Sequence, residues 1–373
     1  MSVPAFTAVG EVGGRSAKLW LALRSGGHLV SLSGAPMPPV AEFLYRLLAW
    51  ARFPSPCRFG QVNLRAEVFD LRSRTAAVAI SKSVSKGGAE IIFQEGYFFT
   101  PTSAGMPYAL YVDATAAMVE RHYPAHAPWL GNAAAKNRWM LRERALYDGA
   151  LRIFTYSDFC KRSVCADYGV PAERVVVMYP GLNFQPKSVP SPRHEGSRRA
   201  IFVGYDFKRK GGEVLLKAWP LVRRRLPSAE LLIIGPPANS ITPVEGVVVI
   251  GPVPSPAQMS EYYASADLFC MPSLFEAYGH VFLEAMSHGL PCVGADSCAM
   301  PEIIQPGVNG LLATPGDAEN LADCLTAILS DHIYRDSLSE GAVATAAGWN
   351  TWDQAASRMV DTLRSDLIRF RQS

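Results

Sequence analysis

From residue 200 onward the chain alternates short apolar runs, AIFVG, LLIIG, VVVIG, DLFCM, PCVGA and GLLAT, with helix-like or polar segments. A continuous apolar run suits a parallel strand buried on both faces, and parallel neighbours have to be joined by a crossover. EVLLKAWPLVRRRL, PAQMSEYYASA, HVFLEAMSHG and DAENLADCLTAILSD carry apolar residues at helical spacing and supply those crossovers. The amino-terminal half repeats the pattern less clearly, with HLVSL, AEIIF, YALYVD, RIFTYS and VVVMYP as strands. The residues before Gly13 leave room only for a short first strand. Between the halves, GLNFQPKSVPSPRHEGSRR has no hydrophobic period and reads as a linker. The expectation is an α/β chain with an amino-terminal domain over 1–181, a linker over 182–198 and a carboxyl-terminal domain over 199–350. A length of 373 residues suits two such domains better than one oversized core. The final TWDQAASRMVDTLRSDLIRF again has helical spacing.

Composition narrows the function. With 49% hydrophobic and 18% charged residues the chain is globular, and a formal charge of +3 offers no broad basic face for a nucleic-acid partner. Seven cysteines without CxxC spacing fit a reduced, cytoplasmic setting rather than a disulfide framework. The first residues lack a basic and then apolar leader, and no apolar run reaches the roughly 18 residues of a membrane span. AEFLYRLLAWARF, residues 41–53, fits either a core helix or peripheral contact with the inner face of a membrane.

Ligands of doubly wound sheets bind beyond the carboxyl ends of the strands, so the residues just after strands carry the chemistry. After DLFCM comes PSLFEAYGHVFLEAMSHGLP, with Glu276 before a helix and Glu284 within it, just over one turn after His280. Tyr278, Gly279 and His280 offer backbone N–H groups at the helix start, which favour a diphosphate. Ionised Glu accepts hydrogen bonds from vicinal hydroxyls, so carboxylates beside a phosphate site suit a sugar. The alternative is that Glu276 caps the helix and Glu284 decorates its surface. In FVGYDFKRKGGEVLL, Gly204 ends a strand and Lys210, beside Arg209, can stabilise a departing diphosphate without proton transfer. A solvated basic loop is the alternative. Gly13 and Gly14 open a helix near the first strand, either as an ordinary turn or as a place where a ligand approaches the backbone. Asp113 follows the strand YALYV and reads equally as a ligand contact or a helix N-cap.

The E-x7-E pattern from Glu276 to Glu284 in FEAYGHVFLE, followed by HGLPCVGAD and PEIIQPGVNGLLATPGD, resembles the family 4 retaining glycosyltransferases of the GT-B fold, over residues 200–330. YGVP and the closing PG before the linker also look like the end of that family's amino-terminal domain. The resemblance implies two Rossmann-like doubly wound domains facing an interdomain cleft, with the helix over 351–373 returning to the first domain. It implies that Glu276 contacts the donor sugar, that Glu284 contacts the ribose hydroxyls, and that Gly13 and Gly14 lie in a loop approached by acceptor or diphosphate. Two positions depart from the pattern: Tyr205 stands where the family has Arg, and Val112 where a His is frequent.

The function expected is metal-independent transfer of a sugar from a nucleoside diphosphate-sugar substrate to an acceptor the sequence does not identify, with no cofactor. In the resembled family the leaving phosphate helps to deprotonate the acceptor on the same face, and no DxD metal signature is present. A nucleotide-sugar epimerase and a noncatalytic GT-B-fold binding subunit remain as alternatives, the latter because of Tyr205 and Val112. A nicotinamide oxidoreductase is disfavoured because no GxGxxG follows the first strand.

Overall fold

The computed structural model describes residues 5–9, 17–33, 66–85, 88–101, 105–124, 127, 129, 132–184, 196–242 and 244–372. It divides into two compact units, Met1–Asn183 with Asn350–Ser373, and Phe184–Trp349. Most of the expected linker, the 41–53 segment, Gly13 and Gly14 lie outside the described residues.

In the first unit the described elements are β1 (Phe6–Val9), α1 (Ala17–Ser25), β2 (Leu29–Ser33), α2 (Ala66–Val84), β3 (Ile91–Glu95), β4 (Tyr108–Val112), α3 (Ala116–His122), α4 (Ala133–Gly149), β5 (Arg152–Thr155), α5 (Asp158–Tyr168) and β6 (Val175–Val177). All six strands are parallel, in the order β2-β1-β3-β4-β5-β6. The first strand is four residues long, as short as the sequence left room for. Every residue of β4 is buried, the signature of a strand covered on both faces. Ser157 caps α5 by accepting from the Cys160 N–H at 3.1 Å, and Gly169 ends that helix in the left-handed conformation with φ 74°.

The second unit contains β7 (Arg199–Val203), α6 (Gly212–Arg225), β8 (Glu230–Ile234), β9 (Val247–Gly251), α7 (Pro256–Ala264), β10 (Leu268–Met271), α8 (His280–Ser287), β11 (Cys292–Ala295), β12 (Gly310–Ala313), α9 (Ala318–Ser330) and α10 (His332–Ala347). Its six parallel strands run β12-β11-β10-β7-β8-β9. Counted within the unit that order is 6-5-4-1-2-3, the dinucleotide-fold winding, which reverses direction between β7 and β10. Each strand coincides with an apolar run read from the sequence. The two helices that follow β12 start at side-chain caps: Asp317 accepts from the Glu319 and Asn320 N–H groups at 2.9 and 3.0 Å, and Asp331 from that of Tyr334 at 3.0 Å.

The last helix, α11 (Trp352–Gln372), belongs to the first unit, where it packs on α1 and β5. It buries Trp352, Met359, Val360, Leu363 and Leu367. Arg152 holds Asp366 through a two-point ion pair, Nε to Oδ2 at 2.7 Å and Nη2 to Oδ1 at 2.6 Å. The two doubly wound parallel sheets give the chain the GT-B fold.

Candidate active site in the carboxyl-terminal unit

Where strand order reverses, the connections leaving two adjacent strands diverge to opposite faces of the sheet and open a crevice between them. In the second unit these are the loop after β7, residues 204–211, and the loop after β10, residues 272–279. Glycine lets them meet. A Cβ on Gly211 would lie 1.9 Å from the Pro272 carbonyl oxygen, and the residue has φ 77°. Once in contact, the loops are fastened three ways. The Leu274 N–H donates to the Arg209 carbonyl at 2.9 Å, Arg209 Nη1 donates to the Phe275 carbonyl at 2.9 Å, and Lys210 Nζ forms an ion pair with Glu276 Oε2.

Glu276 is the centre of this junction. Its side chain is 7% exposed, and besides Lys210 it has Arg209 Nη1 at 4.0 Å. Arg209 is itself aimed by Asp206, whose Oδ2 accepts from Nε at 3.1 Å. The two cations and Glu276 expected from the sequence are thus brought together, and the solvated-loop alternative does not hold. Gly204, the first residue after β7, has its α-carbon against the stem of Lys210, where a Cβ would meet Cγ at 3.0 Å. Tyr205, in the same loop, is 73% exposed.

The N-cap residue of α8 is Gly279, with φ 105° and no side chain of its own to cap with. The N-cap position is thus held by glycine and not by Glu276. A Cβ on Gly279 would sit 2.8 Å from the Phe282 ring and 3.4 Å from Glu276 Cγ, so the loop closes tightly over the carboxylate's stem. Tyr278 is buried and accepts a hydrogen bond from Trp349 Nε1 at 2.9 Å, while its ring meets His280 edge-on at 4.9 Å. Glu284, one turn into α8, is half-buried rather than a surface ornament, and burial pushes its carboxyl above the ordinary value.

In the first unit Asp113 follows β4 and is half-buried. The helix cap expected as its alternative role belongs to Thr115, whose side chain accepts from the Met118 N–H at 3.1 Å. Gly13 and Gly14 fall outside the described residues.

Three contributors escaped the sequence reading. Asp206 was visible as an acid three residues before Arg209, but an i, i+3 pair on a loop resembles any surface pair. Trp349 lies 71 positions from Tyr278, beyond the reach of local pattern. The Cys298–Ala299 dipeptide, which follows β11, touches the backbone of Glu276: the Ala299 N–H donates to its carbonyl at 3.4 Å. Burial pushes the Cys298 thiol up, so it stays protonated.

Residues 197–331 match the family described as glycosyl transferases group 1. The chain is 30% identical over 221 residues to a D-inositol 3-phosphate glycosyltransferase of Streptosporangium roseum, covering 52% of this chain and 50% of that protein. It is 28% identical over 234 residues to an uncharacterized glycosyltransferase of Methanocaldococcus jannaschii, covering 57% and 60%. The matched stretch spans about half the length of the first of these relatives. Among solved structures it superposes on the sucrose-phosphate synthase from Thermosynechococcus elongatus with a TM-score of 0.70 at 17% identity, covering 99% of this chain and 100% of that one. It superposes on HepE from Anabaena, solved with UDP and glucose, with a TM-score of 0.63 at 16% identity, covering 96% and 99%. Within the carboxyl-terminal unit, with its 3-2-1-4-5-6 winding and the Glu276 junction at the reversal, lies the stretch that matches glycosyl transferases group 1, on a chain of the GT-B fold.

Proposed function

We propose that this chain is a retaining glycosyltransferase of family 4 type that moves a sugar from a nucleoside diphosphate to an acceptor hydroxyl. One observation carries the reading: a buried carboxylate, Glu276, paired with Lys210 and approached by Arg209, at the strand-order reversal and beside the glycine that begins α8. A nucleoside diphosphate-sugar presents the complementary groups, hydroxyls for the carboxylates and a pyrophosphate for the cations and amides. In this reading Glu276 orients the sugar, and Glu284 accepts from the ribose hydroxyls. Lys210, Arg209 and the amides of Tyr278, Gly279 and His280 bear the pyrophosphate, with Gly204 keeping the β7 loop close. The bond from the anomeric carbon to the β-phosphate oxygen breaks, the acceptor oxygen bonds to that carbon on the same face, and its proton passes to the departing phosphate. Charge gathers on the diphosphate as the bond breaks, where Lys210 and Arg209 lower the barrier. No metal or cofactor takes part. The amino-terminal unit, with Asp113 at the end of β4 and Gly13 and Gly14, is read as the acceptor side.

UDP stands first among the donors to try, since a fold relative was solved with UDP and glucose, and an inositol phosphate first among the acceptors, from the names of the sequence relatives. The test is a thermal-shift panel with UDP, GDP, ADP and TDP, followed by their sugars. A ligand at about 100 times its Kd adds about 2.7 kcal/mol to stability, an easily measured rise in Tm. A donor that stabilises the protein is then followed for hydrolysis and transfer, with Glu276→Gln expected to stop both while still melting cooperatively. A panel in which no nucleotide moves the Tm sinks the donor assignment. Binding with no turnover of any donor points instead to the noncatalytic reading.

A further inference from the structure

Among the described residues, Cys298 alone combines a side chain with left-handed backbone, at φ 58°. That conformation costs a residue with a Cβ free energy and persists only where the surroundings enforce it, characteristically at functional sites. Its surroundings are informative. Cys298 is buried in the loop that leaves β11, the strand next to β10, so it sits at the same edge of the sheet as Glu276. The next residue, Ala299, donates its N–H to the Glu276 carbonyl at 3.4 Å, and the Ser297 hydroxyl donates to the Cys298 sulfur at 3.5 Å. The Glu276 main chain is close enough to that thiol to hold its pKa down against the effect of burial, so two consecutive residues meet the backbone that carries the Glu276 side chain. The left-handed turn at Cys298 is what lets them do so, because it points the thiol and the following amide to the same neighbour.

From this geometry we infer that Cys298 is a positioning residue for Glu276: its sulfur and the turn it occupies fix the backbone from which the Glu276 carboxylate reaches the donor sugar. The inference rests on the donor-site reading above. It separates two roles that usually travel together, because glycine adopts φ 58° without strain but has no sulfur, whereas alanine keeps the strain and also lacks the sulfur. Serine keeps both a hydrogen-bond acceptor and the size.

The test uses the full chain and the nucleotide and nucleotide-sugar selected from UDP, GDP and ADP and their glucose or mannose derivatives. Cys298→Ala is expected to lower kcat/KM for donor turnover by about 10- to 100-fold, the scale of a small misplacement of a reacting group. Its affinity for the free nucleoside diphosphate, which Glu276 does not bear, stays within twofold of the parent, and Cys298→Ser restores most of the activity. Cys298→Gly is expected to lose activity like the alanine variant while melting higher than that variant, because glycine sheds the left-handed strain that alanine keeps. A residue that merely supports the fold would lose stability and nucleotide affinity along with turnover, and that pattern overturns the inference. So does turnover within twofold of the parent in both Cys298→Ala and Cys298→Gly. If the parent protein binds none of the nucleotides, the donor-site reading itself fails, a result distinct from either of these.

Discussion

A carboxylate and an ammonium taken out of water together are held by their mutual attraction, and each becomes a liability if the other is removed. Lys210 and Glu276 are in that position, with side chains 14% and 7% exposed. Arg209, 4.0 Å from Glu276, softens the loss of Lys210 without replacing it, because its other contacts to Asp206 and the Phe275 carbonyl fix where it points. Lys210→Met is therefore expected to destabilise the chain by about 2–3 kcal/mol, somewhat below the usual cost of breaking a buried pair. Adding Glu276→Gln to it should return part of that loss, since the stranded charge is gone. A double-mutant cycle by chemical denaturation reads the coupling directly. If the two single effects add to within about 0.5 kcal/mol, the residues do not act as a pair in solution. In the same variants the donor-dependent rise in Tm should shrink sharply for Lys210→Met, because the diphosphate loses one of its two cations.

At the scale of elements, the junction depends on two loops approaching more closely than any side chain permits. Gly211→Ala places a Cβ 1.9 Å from the Pro272 carbonyl oxygen at a φ of 77°, so the β7 loop must withdraw from the β10 loop. Gly316 has nearly the same φ, 78°, with nothing within 4 Å of the added carbon, and serves as its control. Gly316→Ala should cost about 1 kcal/mol, the backbone preference alone, and leave nucleotide binding intact. Gly211→Ala should cost more and abolish the nucleotide-induced thermal shift; equal effects of the two substitutions would mean that the contact is dispensable. Much of this arrangement was legible in the chain itself. Parallel strands covered by crossover helices leave unbroken apolar runs, so β7 to β12 could each be read from the chain, even the half-exposed edge strand β9, and the acids and cations of the site stand just past two of those strands. Less could be read where helices bury polar or small groups. The core side of α4 carries Glu143 between Trp139 and Leu146, and that of α10 carries Arg335, Ser339 and Ala342, so neither shows a clean apolar stripe. The three-residue spacing of Asp206 and Arg209 carried no sign of its partner loop, and Cys298 offered no glycine to mark its left-handed turn.

For the whole molecule, stability across pH turns on one buried acid. Glu143 is fully buried in the first unit, where its Oε1 accepts from the Ala116 N–H at 3.1 Å and the Tyr147 hydroxyl at 2.8 Å, and its Oε2 from Trp139 Nε1 at 2.8 Å. Ala116 begins α3, three residues after Asp113, so the carboxylate ties α4 to the turn that follows β4. Loss of water outweighs these donors and those of Tyr168, and the carboxyl is pushed up from 4.5 to about 7. The sign follows from proton binding. Below pH 4.5 the group is protonated folded and unfolded alike and adds no dependence. Between 4.5 and about 7 the folded chain holds the proton that the unfolded chain has released, so stability falls as pH rises, by a total on the order of 3 kcal/mol once both states are ionised. Glu143→Gln keeps a carbonyl acceptor and cannot ionise. The difference in Tm between variant and parent should accordingly grow in the variant's favour from pH 5 to pH 7.5 and then level off, while the contributions of the other carboxylates cancel in the subtraction. A difference that stays flat across that range would mean that Glu143 ionises as freely in the folded chain as in water, and that its four donors, rather than its burial, set its charge.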